Sequence, residues 1–414
     1  MEISTWTQRQ IDLVDRWYDE FNCIGGFQAF TSFGKTSGLA IRAIKKVQPE
    51  SLIISVPSIR LKQDWEQKLI ENNLKGEVIV VNTAIRSNRT CDMLILDEAH
   101  RFVAETFSTI FEKICYNKLM WLTASPERTD GKEVLLFEKA PLVDNVTLEE
   151  GLEMGWVDPF EVIKIPIELT VDEKIELDKI NIRYESLKKK LGYGSPLDNA
   201  NFFIKYLDLR KWVIGKTTEK VTFVKTITNE VGEDKYYRLR DKHFNLATKE
   251  HEYYKKAVIA KQLFVAIADR KKLLYNAQNK LSKAVELIDQ YKDQYKFVFS
   301  QRIEFLKELA KLLPKDEIRL YHSDMKKKDK SDSFDWFNDG RTKCRTLLSV
   351  KSLIEGIDIP KLSVGIFTSY TSSQIDAIQG VGRILRKYKN KRAVIIYLYV
   401  PGTQEEIWLN NLNI

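Results

Sequence analysis

Short apolar runs alternate with amphipathic segments along two parts of the chain, residues 1–165 and residues 297–399. In the first part the apolar runs are four to six residues long, which is typical of buried strands. The candidate strands there are Ser51–Val56, Glu77–Val81, Met93–Leu96 and Leu119–Leu122. Apolar positions recur near the helical period in Gln10–Phe21, Thr36–Lys46 and Leu61–Glu71. This alternation predicts a parallel sheet that is covered by helices on both faces.

The second part shows the same alternation and predicts a second sheet of the same kind. Its candidate strands are Phe297–Phe299, Ile318–Tyr321, Thr346–Val350, Val364–Thr368 and Ala393–Tyr399. Between the two parts, residues 181–250 are rich in basic and aromatic residues, whereas residues 252–291 keep the helical period and predict one long helix. We therefore predict an α/β fold. It has two tandem parallel-sheet domains, residues 1–165 and 291–414, with a basic, mostly helical linker and insertion over residues 166–290.

The composition is that of a folded chain of more than one domain. A length of 414 residues with 43% apolar and 30% charged residues excludes a peptide or a disordered chain. The longest unbroken apolar run, Ala393–Val400, is much shorter than the roughly 20 residues that a membrane helix needs. The N-terminal residues lack the basic and apolar regions of a secretory signal. We therefore expect a cytoplasmic protein that does not cross a membrane.

Cysteine spacing and net charge narrow the function only slightly. Cys23, Cys91, Cys115 and Cys344 form no Cys-x-x-Cys pair, so we expect buried thiols rather than a zinc site or a disulfide framework. The formal net charge of +8 is compatible with a polyanionic partner but is too diffuse to identify one. The chemistry must therefore be inferred from local motifs.

The sharpest local motif is the segment Ala29–Thr36, which follows a plausible strand and precedes a helical pattern. In a phosphate-binding loop, Gly34 lets backbone amides approach the phosphates and Lys35 reaches the β and γ oxygens. Thr36 then offers its hydroxyl group to Mg²⁺. The alternative is a Gly-Lys-Thr tripeptide that only begins a helix, and Ala29 stands where the first glycine is usual. This motif alone leaves both interpretations open.

A second motif places two acidic residues, Asp97 and Glu98, directly after the apolar strand 93–96. At the carboxyl end of a buried strand, Asp97 can hold Mg²⁺ while Glu98 polarises an attacking water. A strand followed by a charged helix cap is the alternative. The order of Lys35 before Asp97 favours a nucleotide site, because each motif supplies half of it.

The motifs now resemble, in order, those of the superfamily two helicases and translocases. Gln10 looks like the adenine-reading glutamine of the family, although Gln8 competes for that role. Residues 56–65, Asn82-Thr83 and residues 122–128 resemble motif Ia, the next strand-end motif and motif III. In the second part, residues 297–300, 321–325, 349–360 and 379–386 are similar to motif IV, the short motif after it, motif V and motif VI.

The resemblance implies two RecA-like domains that use ATP and Mg²⁺ to drive movement along DNA. It implies Lys35, Asp97, Glu98, Arg383 and Arg386 as catalytic residues, with Thr36 and Asp97 holding the metal. Arg383 and Arg386 lie three residues apart and so share one face of a helix, which suits two guanidinium groups that stabilise one phosphoryl group when the domains close. The implied ATP-binding residues are Gln10, Ser32, Gly34, Lys35, Thr36, Gly356 and Asp358.

Nucleic-acid contacts are expected at strand ends of both domains, from hydroxyl and basic groups that suit sugar-phosphate binding. The candidates are Ser58, Arg60, Thr83, Ser323, Lys351 and Thr368, and an ordinary loop role is the alternative for each. Two departures from the family pattern adjoin the phosphate loop. Ser32 replaces a glycine, and the bulky Phe33 must point away from the phosphates.

Within the superfamily, His100 of the DEAH spelling and residues 125–131 resemble DNA-acting branches. These include excision-repair type translocases and phage branch-migration helicases of the UvsW kind. We therefore expect a monomeric, phage-type DNA helicase that acts 3′ to 5′ on single-stranded or branched DNA in recombination or repair. It would work in the bacterial or phage-infected host cytoplasm with replication or recombination proteins. An RNA helicase, an ATP-gated nucleic-acid clamp and the motor subunit of a larger nuclease complex are the alternatives.

Overall fold

The computed structural model describes residues 3–30, 32–103, 107–124, 134–192, 200–201, 203–204, 252–339, 345–350, 362–370 and 392–410. The described residues contain two parallel sheets of six strands each. In these ranges no helix has the length and apolar character required to cross a membrane. The predicted α/β class with two parallel sheets is therefore confirmed.

The first sheet has the strand order β3-β2-β4-β5-β1-β6, and every neighbouring pair is parallel. Strand β2 is buried at all five positions, as expected of a central strand with helices on both faces. The strands are β1 (Ile24–Ala29), β2 (Leu52–Val56), β3 (Glu77–Val80), β4 (Arg89–Asp97), β5 (Ile114–Thr123) and β6 (Leu142–Val146).

The helices of this part begin where the sequence supplies capping side chains. Ser4 caps the first helix by accepting from the amide of Thr7, and Ser58 caps the third by accepting from the amide of Leu61. The helices are α1 (Thr5–Asp19), a π-helix (Lys35–Ala40) that continues as α2 (Ile41–Val47), α3 (Ile59–Glu71), α4 (Val81–Ala84), a 3₁₀ turn (Ala99–Arg101), α5 (Ile110–Lys113), α6 (Val134–Lys139) and α7 (Leu148–Glu153).

The second sheet has the strand order β7-β12-β11-β8-β10-β9 and is also entirely parallel. Its strands are β7 (Phe160–Pro166), β8 (Lys296–Phe299), β9 (Ile318–Tyr321), β10 (Thr346–Ser349), β11 (Val364–Phe367) and β12 (Ala393–Tyr399). Strand β7 lies at the edge of the sheet, and each of its residues is exposed or half-buried.

The remaining helices follow β7 along the chain. The described helices are α8 (Val171–Leu191), α9 (Glu252–Tyr275), α10 (Gln278–Gln290), α11 (Ile303–Lys311), α12 (Lys327–Asn338) and α13 (Gln404–Asn410). Ala284, Leu287 and Ile288 of α10 belong to the same buried cluster as Phe305 and Leu306 of α11 and the apolar residues of β11 and β12. Helix α10 is therefore part of the second sheet's covering layer.

Two sequence predictions differ from the structure, and the predicted domain bounds are untested. The single helix predicted over 252–291 is two helices, because Asn276 ends α9 by donating its side-chain amide to the carbonyl of Lys272. The predicted domains 1–165, 166–290 and 291–414 remain a prediction, but β7 pairs with the second sheet and α10 packs in its core. Cys23 and Cys91 are buried as expected, whereas Cys115 is exposed.

The described residues between 168 and 279 belong to a compact unit of their own, in which α8 pairs with α9. Thr170 and Glu173 form a reciprocal capping box at the start of α8, which fixes where that helix begins. Leu187 and Leu191 of α8 and Leu263 of α9 belong to its buried apolar cluster. Polar residues lie between these buried apolar positions, so the sequence pattern did not predict that α8 packs against α9.

A buried ion pair ties α10 to α13 and β11 within the second sheet's layer. The Lys280 ammonium donates to both Glu405 carboxylate oxygens at 2.7 Å and to the Thr368 carbonyl at 2.9 Å. Burial lowers the pKa of Lys280 and raises the pKa of Glu405, while their mutual attraction opposes both shifts. Glu405 also accepts from the amide of Val400, so both charges are fully hydrogen-bonded. Removing one partner would leave an uncompensated buried charge.

We expect Glu405→Gln to lower the free energy of unfolding by about 3–5 kcal/mol, because the Lys280 ammonium loses its counter-charge in a dry site. Urea-induced unfolding followed by circular dichroism would measure this. Glu286→Gln is the matched control on α10, because its pair with Lys283 is exposed and is worth less than about 1 kcal/mol. Equal effects of the two substitutions would contradict a stabilising role for the buried pair.

Candidate functional site

The phosphate-loop segment leaves β1 at the carboxyl edge of the first sheet and turns sharply into the π-helix. Gly34 has φ 90° and caps that helix, a backbone conformation that favours glycine. Ser32 also has a positive φ of 86°, which explains why a glycine is usual at this position and why serine is strained there. The Lys35 ammonium donates to the carbonyl of Ala29 at 2.9 Å. The loop is therefore folded back on the strand it follows.

Gln10, rather than Gln8, is the glutamine in contact with this loop. Its side-chain amide is buried and donates to the carbonyl of Phe33 at 2.7 Å. A Cβ atom added to Gly38 would lie within 2.5 Å of the Gln10 amide, so the two residues fit only because Gly38 has no side chain. Gln8 is exposed and instead donates to Asp12. Gln10 is therefore the glutamine that contacts the phosphate loop, and its adenine-reading role stays a prediction.

Phe33 does not project from the loop. Its ring is fully buried and packs against the rings of Trp6, Phe30 and Trp156, with centroid separations of 5.6 to 5.8 Å. Trp156 donates its indole N–H to the Thr5 hydroxyl, which holds this aromatic cluster against the start of α1. The bulky side chain therefore belongs to the core beneath the loop, as the sequence interpretation required.

Asp97, the last residue of β4, is 5% exposed and is held by two donors. One carboxylate oxygen accepts from the indole N–H of Trp65 at 2.8 Å, and the other accepts from the amide of Glu98 at 3.0 Å. Trp65 lies on α3 and is itself buried, so its N–H has no solvent alternative. These two contacts fix the plane of the carboxylate.

The electrostatic environment of Asp97 is dominated by its burial. Burial and the negative charge of Glu98 raise the pKa of Asp97 to about 6, although the Trp65 hydrogen bond and the positive charge of Lys35 act in the opposite direction. Lys35 follows β1 and Asp97 ends β4, and the parallel register of β1, β5 and β4 places both residues at the same edge of the sheet. A buried carboxylate with a raised pKa at a sheet edge is typical of a functional site.

Glu98 and His100 extend this group of residues to the end of β5. Glu98 has φ 55°, an uncommon conformation for a residue other than glycine. Nδ1 of His100 lies 3.0 Å from the Thr123 hydroxyl and 3.6 Å from a Glu98 carboxylate oxygen. His100 and Thr123 are both buried, so the segment after β4 is connected to the last residue of β5.

The chemistry of these side chains fits Mg²⁺ and a polyphosphate. Mg²⁺ prefers oxygen ligands, which the Asp97 carboxylate and the Thr36 hydroxyl provide. The first amide groups of a helix have no acceptor within it, and here they follow Gly34 in the first turn of the π-helix. Lys35 adds a positive charge at the same place. The residues present therefore fit a bound metal and nucleotide.

The candidate nucleic-acid contacts have different environments. Ser58 caps α3, Arg60 lies over the ring of Phe334 at 5.6 Å from its centroid, and Thr83 is exposed on α4. Ser323 is exposed and donates to Asp324. Thr368 is fully buried and donates to the carbonyl of Phe299, so the structure corrects the prediction that it contacts a nucleic-acid backbone.

Several predicted residues lie outside the described ranges. They are the motif V residues Lys351, Gly356 and Asp358, the motif VI residues Arg383 and Arg386, and residues 125–131 after motif III. Their roles stay predictions.

Trp65 and Thr123 are contacts that the sequence interpretation missed. Both lie within segments that resemble motifs Ia and III, but spacing does not reveal which side chains meet. One feature of the sequence could have predicted the contact of Trp65. A tryptophan on an apolar helix face generally needs an acceptor for its indole N–H, and a strand-end carboxylate is a suitable one.

The raised pKa of Asp97 predicts a pH dependence of Mg²⁺ binding. Below about pH 6 the carboxyl group of the free protein is protonated, so the affinity for Mg²⁺ should fall as the pH decreases through that value. Mg²⁺ titrations of labelled-nucleotide binding from about pH 5 to about pH 8 would measure this dependence. Asp97→Asn is the control, because any pH effect that remains in it belongs to the nucleotide phosphates. The same pH dependence in both proteins would contradict the assignment.

Two family models match separate parts of the chain. The model described as type III restriction enzyme, res subunit, matches residues 8–128, and the helicase conserved C-terminal domain matches residues 279–388. The first match contains the phosphate loop, Trp65 and the Asp97–Glu98 pair. The second begins at α10 and includes the predicted motifs IV to VI.

Similar proteins include one curated relative over almost the whole chain. The DNA 3′-5′ translocase XPB2 of Sulfurisphaera tokodaii is 25% identical in an alignment that covers 96% of this chain and 82% of the relative. Among solved structures, S. cerevisiae Dbp5 bound to RNA and ADP BeF3 covers 99% of this chain and 87% of that chain, with a TM-score of 0.56 at 12% identity. The Pyrococcus furiosus Hef helicase domain covers 96% of both chains, with a TM-score of 0.49 at 14% identity.

The two family models match the parts of the chain that carry the predicted motifs. The structural likeness to Dbp5 concerns the fold alone, namely two parallel-sheet domains in tandem. The family models and the curated relative show sequence similarity as well, over the strands of the nucleotide site and over the second domain. The chain therefore belongs to the superfamily two helicases and translocases.

Proposed function

We propose that this protein is an ATP-dependent DNA motor that moves 3′ to 5′ and remodels forked or junction DNA by unwinding or branch migration. The polarity and the DNA substrate are taken from the name of the relative XPB2, which is similar over almost the whole chain. The preference for branched DNA, and a role in recombination or repair, rest on the resemblance of the DEAH spelling and residues 125–131 to DNA-acting branches.

One observation carries the ATPase part of this proposal. Lys35, which follows β1, and the buried carboxylate of Asp97, at the end of β4, lie at the same edge of the first sheet, and Glu98 follows Asp97 directly. The Lys35 ammonium donates to the Ala29 carbonyl, and a phosphate oxygen would be a stronger acceptor for it because it is charged. A cation and a buried carboxylate at one sheet edge are the two protein groups that phosphoryl transfer from a nucleotide requires.

The chain's own residues would divide the reaction as follows. Lys35 binds the β and γ phosphates, and the loop amides after Gly34 hold their oxygens. Bound Mg²⁺ supplies positive charge to the phosphates, and Asp97 and Thr36 would hold it. Glu98 accepts the proton of the attacking water, while His100 and Thr123 keep the segment after β4 in position. Arg383 and Arg386 would contribute positive charge from the second domain, as the resemblance implies.

A second function has one observation in its favour. The model that matches residues 8–128 is named after the res subunit of a type III restriction enzyme, so the chain would then act as the motor of a nuclease complex. Both functions need the same ATP site. They differ in whether a partner protein cuts the DNA that the motor moves along.

We expect Lys35→Ala to reduce ATP hydrolysis at least about 100-fold, because the phosphate charge loses its cation. Lys45→Ala is the control on the following helix, since the Lys45 side chain is exposed and donates to Asn72. The steady-state ATPase rate should rise strongly with single-stranded DNA or a four-way junction and less with single-stranded RNA at equal nucleotide concentration.

Each other result of that experiment has a distinct meaning. Retained hydrolysis in Lys35→Ala would contradict the phosphate-loop assignment. Stronger stimulation by RNA than by DNA would instead identify an RNA helicase. Hydrolysis without stimulation by any nucleic acid, and unchanged by Glu98→Gln, would favour an ATP-gated clamp over a motor.

A further inference from the structure

Trp65 is buried beside the nucleotide site, but it would not itself contact the nucleotide or the metal. It is 1% exposed, and its indole N–H donates to Oδ2 of Asp97 at 2.8 Å. Since the Glu98 amide donates to the other oxygen, Trp65 supplies one of the two contacts that orient the carboxylate. Groups that hydrogen-bond a metal ligand from outside the first shell commonly control its geometry and affinity.

Helix α3, which carries Trp65, touches the nucleotide site at a second point. The Lys68 ammonium donates to the Ser37 hydroxyl at 3.2 Å, and Ser37 directly follows the candidate metal ligand Thr36. Trp65 and Lys68 are three residues apart and so lie on the same face of the helix. A movement of α3 would therefore act on two parts of the site, the end of β4 and the first turn of the π-helix.

The opposite end of α3 carries two candidate nucleic-acid contacts. Ser58 caps the helix through the amide of Leu61, and Arg60 lies in its first turn. Trp65 lies seven positions after Ser58, which corresponds to about 10 Å along the helix axis. Because Trp65 and Leu69 are buried and the helix is regular between its caps, a displacement of the first turn is transmitted along it as a rigid unit.

We propose that Trp65 is a positioning residue that couples nucleic-acid binding at the first turn of α3 to the orientation of the Asp97 carboxylate. This inference rests on the proposed function, and it adds a route by which DNA accelerates ATP hydrolysis. A strand bound at Ser58 and Arg60 shifts α3, and the indole N–H moves Oδ2 of Asp97 into the arrangement that holds Mg²⁺. No covalent step involves Trp65.

A purely structural role for Trp65 makes a different prediction. The indole ring fills part of the first sheet's core, so any substitution that shrinks it costs stability. Trp65→Phe keeps an aromatic ring but removes the N–H donor. Trp17→Phe is the matched control, because Trp17 is also fully buried and donates its indole N–H to the Leu119 carbonyl at 3.3 Å, with no contact to Asp97.

The experiment compares wild type, Trp65→Phe and Trp17→Phe in three measurements. They are the ATPase rate with and without single-stranded DNA, the Mg²⁺ concentration for half-maximal binding of fluorescently labelled ATP, and DNA affinity by anisotropy. For Trp65→Phe we expect about a 10-fold loss in the ratio of DNA-stimulated to basal rate and about a 10-fold rise in the half-saturating Mg²⁺ concentration. DNA affinity should change less than about twofold, because the first turn of α3 is intact.

Trp17→Phe should keep the wild-type stimulation ratio and Mg²⁺ dependence, even if both variants melt at a lower temperature. Wild-type values for both quantities in Trp65→Phe, or equal losses in Trp17→Phe, would overturn the role of Trp65 while leaving the DNA motor intact. A wild-type protein that hydrolyses ATP without stimulation by DNA would instead overturn the proposed function.

Discussion

The parallel register of β1, β5 and β4 is the constraint on which the site depends. Gln28 pairs with Thr123, and Asp97 pairs with Leu122, so the three strands end at nearly the same level. Parallel strands present their carboxyl ends at one edge, and ligands of such sheets bind there. This register alone brings the phosphate loop, Thr123 and the Asp97–Glu98 pair together.

The same edge contains a buried carboxylate and strained backbone conformations, both of which are energetically unfavourable. Asp97 is buried beside another carboxylate, and its pKa is raised as a result. Ser32 and Glu98 both have a positive φ, which costs of order 1 kcal/mol each for residues other than glycine. Contacts from outside the edge, above all Gln10 and Trp65, hold these groups in place. Strain and burial therefore concentrate where the chemistry would occur.

Much of the fold was predictable from the sequence, because the central strands are continuous apolar runs and the candidate site residues lie in ordered local motifs. Long-range pairing was not predictable. The edge strand β7 follows the first domain in sequence but joins β12, and the hydrogen bond from Trp65 to Asp97 links residues on different elements. The burial of Thr368 was not predicted for the same reason, because its hydroxyl donates to the carbonyl of Phe299 on the neighbouring strand. Local patterns specify elements, whereas these contacts depend on which elements become neighbours.

Strand separation on forked DNA tests the central claim most directly, because it requires hydrolysis and movement together. The substrate would be a labelled fork with either a 3′ or a 5′ single-stranded tail, mixed with the protein, Mg²⁺ and ATP. The account predicts ATP-dependent separation that proceeds from the 3′ tail. Rapid DNA-stimulated hydrolysis that separates or displaces no strand on either substrate would contradict it, because the nucleotide site would then operate a switch rather than a motor.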